Sequence, residues 1–566
     1  MDVILLNIAD ASVAVFQFHN IALIAIGVLC GIVAGAIPGF TVTMAVVLTL
    51  PFTFGMPPIE GLSVMLGVYV GGMSGGLISA MLMGIPGTPA AVATTFDGFP
   101  LVRQGQPGRA LGLGIWSSFF GGLIGAVVLA TLAPTLANFG LEFGPWAFFS
   151  LIMFALTITG SLAGDSLIKG LIAAAVGLLA AAIGAEEINS IDRMHFGIDS
   201  LRGGFAYLPV LIGLFAFSQL MSDIEDRDAA RKALIEKDSK YVKIEHWYAI
   251  KTIMRSWGNL LRSSMIGCFV GVLPAAGASI SNILAYDQAK KASKTPEKFG
   301  TGHDQGIIAP EAANNATAGG ALTVMMALGI PGSPLCAIML GALLIHNVVP
   351  SPTFILDQPL IAYSIFVAFF FAHFLMIAMQ AYGLRLFVYI IKLPMYFLAG
   401  VILVYCAIGT FALNNIEDDI WTLFWFGILG YLMKKFGFPL APMILGVVLG
   451  DLAELNLNRA VSISDNYWLF LTRPWSLFFI LMALFSTVFP WYQKARGRRI
   501  WTLAFVPLML LVMAVPLFMM DSMIRTVVAA LMIAGGIYML WKRQQNGWAL
   551  DPTDAAQPPL ATNEPA

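Results

Sequence analysis

Gly84-Ile85-Pro86-Gly87-Thr88-Pro89 recurs as Gly329-Ile330-Pro331-Gly332-Ser333-Pro334, 245 residues further along the chain and inside another long apolar run. Proline removes a backbone donor and glycine loosens the turn, so each copy is expected to interrupt a membrane helix and free N–H and C=O groups. Such groups persist at membrane depth only when packed in protein or facing a cavity. Matching interruptions in two halves of one chain point to the binding site of a secondary transporter. The expected site therefore lies between the two breaks.

Composition supports a membrane setting. The chain has 566 residues, 58% hydrophobic and 11% charged, with mean hydropathy +0.82. So much apolar surface has no place in a soluble protein of this length. The net charge of −1 argues against a nucleic-acid partner. Cys30, Cys268, Cys336 and Cys406 stand singly and the six histidines lack ligand spacing, which argues against a disulfide framework or structural metal. No phosphate-loop motif, Arg-rich sensor helix or selectivity-filter pattern is present. Nor is there a convergent acid, base and nucleophile set, so the chain reads as no enzyme and needs no cofactor beyond a coupling ion.

The apolar runs then give the layout. No Lys or Arg precedes Arg103, which places the N-terminus outside. The run 21–54 is broken by Pro38-Gly39 and reads as a re-entrant hairpin; segment 59–87 crosses, and runs near 110–133, 145–160, 166–188 and 205–222 follow. Residues 1–222 form a first transmembrane repeat and 223–262 a charged cytoplasmic linker. Gly31-x3-Gly35-x2-Pro38 matches Gly267-x3-Gly271-x2-Pro274, so a second repeat, 263–457, also opens on a Pro-broken hairpin. Its hairpin leads to a basic loop (Lys290, Lys291, Lys294, Lys298), whereas the loop near Pro57 has no basic residue, a reversal that an inverted repeat requires. Extra helices occupy 458–543, and a tail over 544–566 reads as disordered. The expected fold is an all-α polytopic membrane protein of two inverted repeats, with about 13 crossings and a cytoplasmic C-terminus.

Within this layout the residues able to carry function are few. A half-helix that starts after Pro-Gly presents free N–H groups and the positive end of its dipole, which suits a carboxylate. Pro86, Gly87 and Thr88, with Pro331, Gly332 and Ser333, are the expected substrate-binding residues, the two hydroxyls standing at matching positions. Asn314 and Asn315 join them as substrate or ion ligands, because adjacent amides at the head of a spanning helix are costly to bury unless they bind something. Glu311 reads as a proton or Na⁺ coupling group, or else as a helix N-cap at the interface. The hairpin tips, Gly39 and Thr41 in the first half and Gly277 and Ser279 in the second, are expected to close or coordinate the site. Asp97-Gly98-Phe99-Pro100, followed by Arg103 and Arg109, reads as a polar cytoplasmic turn, at least as readily solvated as functional.

These blocks bring out a resemblance. The chain resembles the large membrane subunit of the tripartite tricarboxylate transporters over about residues 20–490. The resemblance rests on Ile37-Pro38-Gly39 through Leu50-Pro51-Phe52, and on Gly84–Pro89 with Asp97-Gly98-Phe99-Pro100-Leu101. It also rests on the stretch from Lys294 and Pro296 through Pro310-Glu311-Ala312-Ala313-Asn314-Asn315 to Gly329–Pro334, and more weakly on Gly437–Pro442 with Leu445-Gly446. It implies a bacterial inner-membrane carrier that works with a small four-helix membrane subunit and a periplasmic solute-binding protein to import di- or tricarboxylates on a Na⁺ or H⁺ gradient, by alternating access. Phe40-Thr41-Val42-Thr43 stand where the family usually carries further glycines and an Asn, and Asn347 and Ser351 where it usually has Gly. A channel-like or scaffold component without coupled transport is the alternative.

Overall fold

The computed structural model describes residues 2–37, 40–162, 166–186, 191–225, 243–274, 277–390 and 395–550. The predicted all-α polytopic fold is observed. Eight helices among the described residues are long and apolar enough to cross a membrane, and shorter apolar helices fill the bundle between them. Among the described residues one small sheet occurs, pairing Gly184–Ala185 antiparallel with Asp192–Arg193, where the run to 188 was expected to continue as helix.

The first half comprises α1 (Asp2–Val15), α2 (Phe18–Ala36), α3 (Val42–Thr53), α4 (Pro58–Met83), α5 (Val92–Arg103), α6 (Pro107–Gly140), α7 (Pro145–Leu162), α8 (Leu167–Ala181), α9 (Tyr207–Leu211) and α10 (Ser218–Glu225), the last two joined by a π-helical stretch, Ile212–Phe217. The second half comprises α11 (His246–Arg255), α12 (Trp257–Val272), α13 (Gly277–Ala292), α14 (Asp304–Leu328), α15 (Pro334–Ile345), α16 (Pro359–Ile390), α17 (Met395–Asn414), α18 (Glu417–Lys435) and α19 (Leu440–Ile463). Three further helices, α20 (Pro474–Ala495), α21 (Trp501–Phe518) and α22 (Met523–Gln545), complete the chain. Helix α11 and the start of α12 fall inside the stretch read as linker; its middle, 226–242, lies outside the described residues, as do Pro38, Gly39 and the tail beyond 550.

Helices α4 and α14 are the centre. Both are buried along nearly their whole length, with Gly, Ala and Ser on the faces that meet neighbours. At 26 and 25 residues each is about 38 Å long, enough to span. Each ends on a left-handed glycine, Gly84 at φ 71° and Gly329 at φ 72°, a conformation that a side chain would strain. The chain then bends, without helical structure, to Thr88 or Ser333, where backbone at φ −133° and −153° precedes the next helical turn.

The two breaks are packed alike. A Cβ on Gly87 would sit 2.1 Å from the carbonyl oxygen of Gly35 on α2, and a Cβ on Gly332 would sit 2.2 Å from that of Gly271 on α12. Gly35 and Gly271 are the second glycines of the two matched Gly-x3-Gly motifs, which themselves bring α2 onto α4 and α12 onto α14 at backbone distance. Around each break the order is alike: two helices of 12–19 residues, a long buried helix, the break, a helix of 12 residues, and another long helix, which in the second half follows a short helical turn at Phe354–Asp357.

The extra helices sit at the edge. Helix α20 packs on α7 through a Ser150–Ser476 hydroxyl pair at 2.8 Å, and α21 and α22 pack chiefly on each other. A largely apolar cavity of about 530 Å³, lined by residues including Phe139, Phe143, Trp475 and Met513 with Arg525, separates them from α6.

Adding one methyl at either break should force chain against backbone. Gly87→Ala and Gly332→Ala are expected to lose about 1–3 kcal/mol, read as a lowered thermal midpoint of the detergent-purified protein, whereas Gly55→Ala, which has no atom within 4 Å of its Cβ, should leave the midpoint unmoved. Unchanged midpoints in both break variants would contradict the packing described.

Candidate binding site at the helix breaks

The residues expected at the second break hold a finished helix start. Ser333 Oγ accepts the N–H of Cys336 at 3.1 Å, capping α15, and the Tyr69 hydroxyl of α4 faces both Ser333 and Cys336, at 3.8 Å from the Cys336 sulfur. At the first break Pro89–Ala91 forms a single 3₁₀ turn before α5, and Thr88 makes no cap bond. Thr88 Oγ1 is buried without a protein hydrogen-bond partner and lies against Gly76 of α4, where a Cβ would meet it at 2.7 Å.

Helix α14 supplies the polar residues that face this region. It starts at Asp304, where His303 Nδ1 accepts the N–H of Gln305, and not at Pro310, which lies within it. Glu311 is therefore about two turns inside the helix and fully buried, which excludes the N-cap account. Its Oε1 accepts from Thr94 Oγ1 of α5 at 2.5 Å and its Oε2 from Ser118 Oγ of α6 at 2.9 Å. Among the described residues no Lys or Arg pairs with it. Asn314 donates from Nδ2 to the Met73 carbonyl of α4 at 3.0 Å, and Asn315 from Nδ2 to the Glu311 carbonyl at 3.1 Å. Both Oδ1 atoms are buried without a protein partner.

Asn282 was not anticipated. It sits on α13, fully buried, and its Nδ2 donates to the Ala90 carbonyl in the first break, leaving Oδ1 without a protein partner. Next to it, Ser281 Oγ lies 2.6 Å from Thr317 Oγ1 of α14. Its signal was the polar run Ser279-x-Ser281-Asn282 immediately after the second hairpin. Of the hairpin residues, Thr41 caps α3 through Oγ1, accepting from Met44 N at 3.2 Å, Gly277 opens α13 at φ 62°, and Ser279 is half-buried with no hydrogen bond to the break residues.

Asp97 corrects the sequence reading. The stretch Asp97–Pro100 is helical, within α5, and Asp97 is fully buried. Its Oδ1 accepts three backbone N–H groups, from Gly300 at 2.9 Å, Gly302 at 2.8 Å and His303 at 2.7 Å, and its Oδ2 accepts the Tyr286 hydroxyl at 2.9 Å. Positive φ at Gly300 and Gly302 turns these N–H groups into one concavity around the carboxylate. At the same end Arg109 grips Asp304 through Nε and both of its carboxylate oxygens, at 2.7–3.1 Å, and Tyr248 adds a hydroxyl at 2.8 Å. These contacts tie the first break to the start of α14.

Two interrupted helices with buried polar atoms beside them are the arrangement in which membrane transporters place a binding site. The chain belongs to the tripartite tricarboxylate transporter TctA family, whose profile matches residues 21–445, and it is thus a membrane transporter component of that class. It is 31% identical over 481 residues to an Agrobacterium vitis protein described as "Uncharacterized 52.8 kDa protein in TAR-I ttuC' 3'region", covering 85% of this chain and 95% of that one. It is also 31% identical over 234 residues to the "Uncharacterized protein in TAR-II ttuC' 3'region" of the same organism, covering 41% of this chain and 97% of that one. No solved structure matches. The family match ends before α20, so α20–α22 lie beyond it.

Removing the Asp97 carboxylate should release the loop that it organises. Asp97→Ala is expected to raise hydrogen exchange at Gly300, Gly302 and His303 at least about tenfold, since each loses a charge-assisted bond. Unaltered exchange at all three amides would show that the loop is held by other contacts.

Proposed function

We propose that this chain is the large membrane subunit of a binding-protein-dependent secondary transporter that imports an organic di- or tricarboxylate on a Na⁺ or H⁺ gradient. It works by alternating access between two inverted repeats. The observation that carries this reading is the pair of like-packed breaks beside two buried central helices, in a member of a transporter family. The helix start at Ser333, with its dipole and hydroxyl, suits one carboxylate group, and the polar cluster at Thr88 and Asn314 completes the site about 10 Å away along α4, judged from Tyr69 to Gly76. A small four-helix membrane subunit and a periplasmic solute-binding protein are the partners, and the bacterial inner membrane the location, with a periplasmic N-terminus and cytoplasmic C-terminus. The non-helical segments at 85–88 and 330–333 are the ones that rearrange as one part moves against the other.

The reading is tested by uptake of labelled mono-, di- and tricarboxylates into vesicles that hold this chain with candidate partners, with and without Na⁺ and pH gradients. Saturable uptake of one acid class that needs the partners and a gradient is expected. Ser333→Ala should raise the half-saturating concentration about tenfold through loss of one hydrogen bond to a charged group, and Ser333→Thr, the residue type at the matching position 88, should restore it. Flux that neither saturates nor depends on a gradient would instead favour the channel-like alternative.

A further inference from the structure

The atoms left without a protein partner at the first break are two amide oxygens and a hydroxyl. In Asn282 and Asn314 the amide nitrogen is tied to a backbone carbonyl, of Ala90 and Met73 respectively, which fixes each amide and turns its oxygen away from that bond. What remains without a protein partner is Asn282 Oδ1, Asn314 Oδ1 and Thr88 Oγ1, on residues that are 0%, 0% and 3% exposed. An amide oxygen can only accept. A carboxylate, itself an acceptor, cannot satisfy it.

The three side chains are also neighbours in the chain path. Asn282 is bonded two residues past Thr88, at Ala90, while Asn314 is bonded at Met73, three residues before the Gly76 against which Thr88 packs. Three residues of helix are about 4.5 Å. Beside them stands Glu311, a buried carboxylate that the Asn314 amide also reaches and that no Lys or Arg offsets among the described residues. A buried carboxylate either takes up a proton or calls for a positive partner.

From these atoms we propose a Na⁺ site at the first break, in which Asn282 Oδ1, Asn314 Oδ1 and Thr88 Oγ1 supply ligands and Glu311 supplies the compensating charge. Hard oxygen ligands suit an alkali cation, and broken transporter helices are where such ions bind. Neutral amide and hydroxyl donors with a single nearby carboxylate favour a monovalent over a divalent cation. The proposal rests on the transporter reading and deepens it. It makes Na⁺ the coupling ion and moves Asn314 and Thr88 from substrate contact to ion contact.

The test needs no transport. Purified full-length protein in detergent is titrated with ²²Na⁺, and separately its thermal midpoint is followed in NaCl against choline chloride and KCl at constant ionic strength. Saturable ²²Na⁺ binding and a Na⁺-specific rise in midpoint are expected. Asn282→Ala, Asn314→Ala and Thr88→Val should each weaken Na⁺ binding at least tenfold, whereas Thr88→Ser, which keeps the oxygen, should retain it. Where an Asn variant fails to fold, the Thr88→Val and Thr88→Ser pair decides the matter. No Na⁺ binding in the unmodified protein, an equal response to K⁺ and choline, or unweakened binding in Thr88→Val would overturn the site. Intact Na⁺ binding without carboxylate uptake in assembled complexes would leave the site standing and sink the carboxylate reading instead.

Discussion

The contact on which this structure turns is a chain segment without a side chain lying on a carbonyl oxygen: Gly87 on Gly35, and Gly332 on Gly271. In a bilayer there is no hydrophobic gain in bringing two apolar helices together, so close approach has to come from small residues and from the dispersion and polar contacts they permit. The Gly-x3-Gly ridges of α2 and α12 provide that approach, first to the long helices α4 and α14 and then to the breaks that follow them. A left-handed glycine ends each long helix at the place where the non-helical segment can fold back onto the ridge. The positions of Thr88 and Ser333 follow from this packing.

Equivalent backbones carry unequal chemistry. Tyr69 on α4 and Asn314 on α14 are separated by the same 245 residues as the two breaks, so they hold matching places in the two halves. Tyr69 meets a capped helix start and a thiol, while Asn314 meets the carbonyl of Met73 and stands beside Glu311. The first break, flanked by Thr88, Asn282 and Asn314, thus keeps acceptors without partners, and the second keeps a helix N-terminus. One architecture offers two different binding characters.

The sequence carried most of the helix layout, because apolar runs of spanning length and Pro-Gly interruptions are local signals. The helices Pro107–Gly140 and Pro145–Leu162 lie where the runs at 110–133 and 145–160 predicted them, with ends a few residues longer. Less was legible where polar residues are buried by distant partners. Asp97 looks like part of a solvated turn because the N–H groups that bury it are some 200 residues away, at Gly300, Gly302 and His303. Pro310 looks like a helix start because proline favours the first turn, yet His303 and Asp304 form the actual cap. Asn282 lies in a helix that ends in lysines, so its local composition suggests a surface. Helix α11 was hidden in the same way, by the charges around it.

The charge balance of the centre has a further consequence for the proposed activity. No Lys or Arg occurs in residues 1–102 or 299–384, the stretches that hold both breaks and both central helices, whereas Glu311 is buried among them. A di- or tricarboxylate entering such a region meets helix dipoles and hydroxyls, which offset a fraction of one charge, and wherever Glu311 is ionised its field opposes the anion. Backbone dipoles alone do not balance this. On the proposed reading the cation is therefore part of the binding site as well as the source of driving force: it converts a region of net negative potential into one that accepts an anion. Empty, the site would repel its substrate, and with the substrate alone it would be less favourable still. Coupling in that case needs no separate gate to enforce it, because the electrostatics of the two central helices already make the anion's affinity depend on the ion.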